Sequence, residues 1–306
     1  LSDEGRLSPL MPCYYPIKGY RSRQINPSGK YPIVFNVNDG WIDKPIRVPC
    51  GQCIGCRLER SRQWAVRCVH ESTLYENNCF ITLTFNEENV PKDGSLIKNS
   101  ADFQKFMKRL RKYTNQKIRF FHCGEYGEKL SRPHHHACLF NYDFPDKKLY
   151  TVRNGIRIYT SEILLKLWPY GYHTIGDVTF ESAAYIARYV TKKITGSRAE
   201  EHYQGRVPEY VTMSRKPGIG KGWLDKFSDD IYPHDYLIVN GNKCKPPKYY
   251  DSIYHLTNEK ESRRIKAIRA KHAVQNPENT IARLEVREKV KKSRLTNLKR
   301  SYENAT

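Results

Sequence analysis

Three consecutive histidines, His134-His135-His136, open an apolar run that continues Ala137-Cys138-Leu139-Phe140. The run reads as a β-strand, and a strand sends successive side chains to opposite faces. His134 and His136 therefore share a face, and His135 points the other way with a packing or surface role. Two neutral imidazoles side by side are a ready pair of ligands for a divalent ion. Glu125, at the end of the preceding strand, is the expected third ligand, with Glu128 and His122 competing for that place. Two imidazoles and a carboxylate leave positions open for water or a substrate oxygen, as a catalytic ion requires.

A second constellation lies in Ala184-Tyr185-Ile186-Ala187-Arg188-Tyr189-Val190-Thr191-Lys192-Lys193. Its pattern predicts a helix, on which Tyr185 and Tyr189 stand one turn apart on one face and Lys192 follows on the same face. Such a stripe can be core packing. It can also be a pair of nucleophiles, because a phenol (pKa ~10 when free) attacks once it is placed or activated, and a nearby ammonium favours the phenolate and holds a phosphate. Two hydroxyls on one face can act in turn on one phosphate.

The third group is Cys50-x-x-Cys53-x-x-Cys56. With Cys13 as fourth ligand, and Cys68 as the competitor for that position, it fits a structural Zn²⁺. The spacing also suits an iron–sulfur cluster, and thiols without metal remain an open reading. Zinc would hold together a Pro- and Gly-rich N-terminus that has little apolar content. Cys79, Cys123 and Cys138 fall in predicted strands and read as small buried hydrophobes.

The elements that must position these groups follow from hydrophobic period. A helix is expected from Arg57 to about Tyr75, a strand over Cys79–Phe85, and a helix from Ala101 burying Phe103, Phe106, Met107 and Leu110. Strands are expected at Ile118–Cys123 and through the histidines, as antiparallel neighbours. Ser161–Leu167 reads as a helix, Tyr172–Phe180 as a strand and Glu181–Ile194 as a helix. The order β-α-β-β-α-β-α predicts an α+β fold, an antiparallel central sheet flanked by helices. Residues 1–56 form a Cys-rich segment with one strand at Tyr31–Val37, residues 57–200 the core, and residues 201–306 a basic, partly helical region interrupted near Pro277. The stretch from Arg263 to Arg300 reads equally as a binder of DNA backbone and as a solvated helix packed through Ile265, Ile268, Leu284 and Leu295.

Lys and Arg number 53 against 32 Asp and Glu, a net charge of +21, and tyrosines number 22. That combination points to a polyanion with unpaired bases, hence single-stranded nucleic acid. No apolar run approaches the ~18–20 residues of a membrane span. The expected compartment is cytosolic, where disulfides are rare.

Together, the Thr-containing strand Phe80–Phe85, His134-x-His136 and Tyr185-x-x-x-Tyr189-x-x-Lys192 resemble the HUH endonuclease superfamily in its two-tyrosine branch. Cys50-Gly51-Gln52-Cys53, Cys123-Gly124-Glu125-Tyr126-Gly127, Trp168-Pro169-Tyr170-Gly171, Phe180-Glu181-Ser182-Ala183-Ala184-Tyr185 and Met213-Ser214-Arg215-Lys216-Pro217-Gly218-Ile219-Gly220 are similar to the replication initiators of gokushovirus-type microviruses, as is Asn297-Leu298-Lys299-Arg300-Ser301-Tyr302. The family carries a bulky hydrophobic residue where this chain has His135. The resemblance implies an HUH/ferredoxin-like nuclease core and Mg²⁺ or Mn²⁺ on His134, His136 and Glu125. It implies attack by Tyr185 or Tyr189, aided by Lys192, on single-stranded origin DNA, and rejoining after rolling-circle synthesis. Arg188, Lys193, Arg215 and Lys216 are the expected grips on DNA. Host DNA polymerase and helicase are the implied partners, in the host bacterial cytoplasm. A tyrosine transposase or plasmid initiator of the same superfamily, and a non-catalytic zinc-stabilised single-stranded-DNA-binding protein, are the alternatives.

Overall fold

The computed structural model describes residues 13–296 apart from 28, 30, 128, 129, 195–197 and 233. Of these, Arg60–Ile265 form one compact unit, and residues 13–59 with 266–296 form another.

In chain order the elements begin with β1 (Ile17–Ser22), β2 (Ile33–Val34), β3 (Gly40–Val48), α1 (Ile54–Ser72), β4 (Asn78–Phe85), α2 (Ala101–Thr114), β5 (Arg119–Tyr126) and β6 (Pro133–Phe140). Next come β7 (Lys148–Arg153), β8 (Ile156–Thr160), α3 (Glu162–Leu167), β9 (Gly171–Gly176), α4 (Phe180–Lys192), α5 (Arg198–Tyr203) and β10 (Tyr210–Met213). The chain continues through α6 (Lys221–Ile231), β11 (Leu237–Val239), β12 (Asn242–Cys244), α7 (Lys248–Thr257), α8 (Glu259–Gln275) and α9 (Ile281–Thr296).

The larger unit is built on a seven-stranded sheet of order β10-β5-β6-β4-β9-β8-β7, antiparallel throughout. The α+β class expected from sequence is borne out. Alternation sorts the side chains of the central strands between two cores. Ile81, Leu83, Ala137 and Leu139 face Phe103, Phe106, Met107 and Leu110 of α2 and Leu164 of α3. Phe80, Cys138 and Phe140 face the other way, against Ala65 and Cys68 of α1 and Ala183, Tyr185 and Ile186 of α4. Both faces of β6 are thus covered, which is why its sequence is a continuous run rather than an alternation. Cys79, Cys123 and Cys138 are fully buried, as expected.

Three strands of this sheet lie outside the expected order. β7 and β8 are joined at Asn154-Gly155, both with positive φ, which is the strongest short-range hairpin signal in the chain. β10 pairs with β5 beyond residue 200, so the cut expected there falls inside α5 and the sheet continues past it. Conversely, the strand expected over Tyr172–Phe180 stops at Gly176, and Thr179 instead caps α4 with a reciprocal bond to Ser182.

A buried ion pair fastens the segment after β10. Arg119 Nε lies 2.5 Å from Glu71 Oε1, and Glu71 Oε2 accepts the Gly220 backbone N–H at 2.6 Å. Arg119 Nη2 donates to the Pro217 carbonyl and Arg67 Nε to that of Ile219. Gly220 has φ +79°, and a Cβ there would lie 2.4 Å from the Tyr250 hydroxyl, so the position requires glycine.

In the smaller unit, β2-β1-β3 form a three-stranded antiparallel sheet. Sequence reading expected only a strand at Tyr31–Val37, and just Ile33–Val34 of it pairs. β1 and β3 give no clear signal because they hold glycine and proline and bury few side chains. Leu284 of α9 is buried against Tyr14 and the cysteines, and Tyr15 donates to Glu288 at 2.5 Å. Ile265, at the end of the larger unit, is also buried. α8 and α9 carry the i,i+3 and i,i+4 pairs Arg264–Glu261, Arg263–Glu259 and Lys292–Glu288. Asn297–Tyr302 lie outside the described residues.

Glu71→Ala strands the Arg119 guanidinium in the interior and should cost roughly 3–5 kcal/mol. Urea unfolding monitored by circular dichroism checks this; a midpoint equal to wild type would refute the fastening role.

Candidate metal centre and nucleophile

β5 and β6 meet with Cys123 opposite His136, Gly124 opposite His135 and Glu125 opposite His134. Residues directly opposite on an antiparallel pair share a face, so this register brings Glu125 beside the His134/His136 pair. His134 Nε2 and His136 Nε2 each lie 2.7 Å from the same oxygen, Glu125 Oε1. All three residues are buried. His122 points to the opposite face, and Glu128 lies outside the described residues, so Glu125 is the carboxylate found with the two imidazoles.

The far nitrogens fix how the ligands present themselves. His134 Nδ1 lies 3.0 Å from the Arg132 carbonyl, which can only accept, so Nδ1 carries a proton. His136 Nδ1 is 2.9 Å from the Thr82 hydroxyl on β4. Neutral His134 therefore turns a lone pair toward a carboxylate oxygen. Two acceptors at that distance require a cation between them, a proton or a metal ion. Glu125 Oε2 is buried with no hydrogen-bond partner in the structure, a second sign that the group takes a positive ligand. The donor set of two imidazoles and a carboxylate fits a divalent ion with open positions. Burial alone would raise the Glu125 carboxyl pKa, but the charge of His136 and hydrogen bonds from both imidazoles hold it below the usual range. Burial also pushes His136 down, against the opposing pull of Glu125.

The Tyr185 hydroxyl on α4 donates to Glu125 Oε1 at 3.3 Å. Its ring stands edge-on to His136 with centroids 4.9 Å apart and is buried. The helix thus delivers one of the two expected phenols to the carboxylate of the candidate centre. The side chains of Tyr189 and Lys192 lie outside the described residues. Arg188 holds its guanidinium 5.7 Å from the Tyr185 ring, and Lys193 is exposed just past the helix. Arg215 and Lys216 are exposed beyond Met213, which pairs with Phe121, so they sit at the opposite end of β5 from Glu125 and are not brought to the centre.

A second group gathers in the smaller unit. The sulfurs of Cys13, Cys50, Cys53 and Cys56 all lie within 4.8 Å of one another. Backbone N–H groups already point at them: Cys50 N to Cys13 Sγ at 3.1 Å, Cys53 N to Cys50 Sγ at 3.3 Å and Tyr14 N to Cys53 Sγ at 3.4 Å. Burial raises the Cys53 thiol, yet the N–H groups of Cys56 and Tyr14 outweigh it and bring the pKa to about 7. Four converging sulfurs fit a tetrahedral thiolate ion. Cys68 is instead packed in the sheet core, which removes it as fourth ligand. All nine cysteines are free.

A family model for the ORF2-type replication-associated protein matches residues 78–194, from β4 to the end of α4. The replication-associated protein VP4 of Bdellovibrio phage phiMH2K is 35% identical over 216 residues, covering 67% of each chain. The replication-associated protein ORF2 of Spiroplasma virus 4 is 37% identical over 216 residues, 67% of this chain and 66% of the relative. The chain belongs to the family of phage replication-associated proteins. A third relative, replication-associated protein ORF4 of Chlamydia phage 1, is 27% identical over 217 residues and 53% of its own length. No solved structure matches.

This replication-associated protein carries one feature that sequence reading missed. His135 is neither exposed nor merely packed. It is fully buried, with Nε2 2.6 Å from Asp102 Oδ2 and Nδ1 3.1 Å from His122 Nε2, and His122 Nδ1 is 2.8 Å from the Thr212 hydroxyl. The expected orientation away from the metal face is correct, but the residue links α2, β6, β5 and β10. Its partners are distant in sequence, so no local spacing signals them. Burial would raise the Asp102 carboxyl, but the hydrogen bond and charge of His135 lower it.

His135→Leu leaves that carboxylate without its imidazole donor and should cost roughly 3 kcal/mol. Asp102 has a folded pKa below its unfolded value, so its contribution is present above about pH 4 and fades as pH falls. Thermal unfolding from pH 3 to 7 should therefore show wild type and His135→Leu converging at the acid end. Elemental analysis supplies a second check: Cys53→Ser should lose the bound zinc that the purified wild-type chain retains.

Proposed function

We propose that the chain is a rolling-circle replication initiator, a metal-dependent single-stranded DNA endonuclease and strand transferase acting through tyrosine. The observation that supports this most is the meeting of three groups on one oxygen: Glu125 Oε1 with both imidazole Nε2 atoms at 2.7 Å and the Tyr185 hydroxyl at 3.3 Å. A carboxylate–imidazole pair alone would serve structure. A phenol aimed at the same atom supplies a nucleophile where a phosphate would be polarised.

His134, His136 and Glu125 would hold Mg²⁺ or Mn²⁺, which supplies Lewis-acid polarisation of the scissile phosphate. Tyr185 loses its phenol proton and forms a bond from Oη to phosphorus. The bond from phosphorus to the 3′ oxygen breaks, and that oxygen leaves as a protonated 3′-OH. The 5′ end stays on the protein as a phosphotyrosine. Tyr189, one helical turn away, performs the second cut after synthesis, and Lys192 and Arg188 stabilise the phosphoryl oxygens. Attack of the released 3′-OH on the phosphotyrosine re-forms the phosphodiester, and the ester's energy makes ATP unnecessary. Lys193, Arg215 and Lys216 bind the DNA backbone. The 3′-OH is extended by host DNA polymerase with a host helicase, in the bacterial cytoplasm. The match to phage replication-associated proteins favours this reading over a transposase or a non-catalytic binder.

Incubation with origin single strand and Mn²⁺ should give a covalent adduct on a denaturing gel, lost with EDTA. Tyr185→Phe with Tyr189→Phe should abolish it, and His134→Ala should cut it at least ~100-fold while largely sparing salt-sensitive binding. Undiminished cleavage by the double variant would sink the nucleophile assignment.

A further inference from the structure

The β1–β3 sheet of the smaller unit has side chains that its own packing does not use. Residues 41–45 of β3 are exposed in succession, so this stretch buries neither face. Trp41 is 46% exposed and Ile42 61%, and Phe35 and Tyr31 are exposed beside them in sequence order around β2. Scattered exposed apolar residues need no explanation, but large aromatics gathered on one small sheet do.

Cations frame these rings. Arg23 and Lys44 hold their charges 6.0 and 5.9 Å from the Trp41 ring. Arg23 is steadied by a bond from Nε to the Gly40 carbonyl, and Arg21 reaches the Tyr31 carbonyl. Lys18 and Arg47 stand directly opposite each other on β1 and β3, with no acidic partner among the described residues. Like charges in register destabilise a sheet unless something negative lies across them. The carboxylates nearest in sequence, Asp39 and Asp43, do not balance Lys18, Arg21, Arg23, Lys44 and Arg47.

We infer that this sheet is a second binding surface for single-stranded DNA, independent of the Tyr185 centre, with Trp41 as a base-stacking platform and Lys18 and Arg47 as a phosphate seat. Exposed rings select unpaired bases, because a duplex keeps its base faces stacked. The excess of cations argues against a second copy of the chain, which would bring like charge to like charge. The surface gives the protein a hold on the strand that does not depend on cleavage, so it stands whether or not the tyrosine chemistry is correct.

Fluorescence anisotropy with labelled oligo(dT), full-length protein and no added divalent metal tests this directly. Trp41→Ala should weaken binding roughly ten-fold, and Trp41→Phe should restore most of it. Lys18→Ala with Arg47→Ala should make the slope of log affinity against log salt shallower by about 1.4. Adduct formation with a saturating short origin oligonucleotide should be unchanged in all these variants. Three results would each overturn the inference: wild-type oligo(dT) affinity in Trp41→Ala, equal affinity of wild type for duplex and single strand, or loss of self-association in Trp41→Ala with DNA affinity intact.

Discussion

The register of β5 against β6 is the constraint on which the candidate centre depends. Side chains alternate with a period of two, so a slip of one residue would send His134 and His136 to the face of α2 and His135 to the face of α4. The carboxylate would then face a single imidazole. The register is held from both sides: Thr82 and Thr84 on β4 oppose His136 and His134, and both cores close on the same strands. A catalytic geometry is thus a by-product of satisfying two hydrophobic cores at once.

Electrostatics then determines what occupies that geometry. A buried carboxylate between two imidazoles, one oxygen crowded and the other unpartnered, is incomplete as a protein-only arrangement. The same principle acts in reverse at Glu71 and Arg119, where both oxygens of the carboxylate are paired and the result is a mechanical joint. The difference between a joint and a site lies in the atoms left without partners.

The candidate centre was legible in the sequence because its signals are local. Strand phase separates His135 from its neighbours, the hairpin brings Glu125 across, and helical spacing aligns Tyr185. The α+β class follows from long periodic segments. What stayed hidden has two causes. β1, β3 and β10 are short or poorly apolar, so hydrophobic period does not reveal them, and the hairpin of β7 and β8 is announced by its Asn154-Gly155 turn rather than by its exposed strands. Thr82, Arg132 and Asp102 act through contacts across the fold, and no spacing rule reports those.

The row from Thr212 through His122 and His135 to Asp102 has a direction. The carboxylate only accepts, so His135 donates to it from Nε2 and offers a lone pair at Nδ1; His122 must donate there and accept from Thr212 in turn. Each proton position is dictated by the one before, starting in α2 and ending on β10, the edge strand of the sheet. Edge strands of four residues are prone to misalignment. Shifting β10 by one place would turn the Thr212 hydroxyl outward and leave an imidazole nitrogen unanswered in the interior. The extra histidine thus works as an alignment gauge, carrying the correct position of the central strands out to the margin of the sheet.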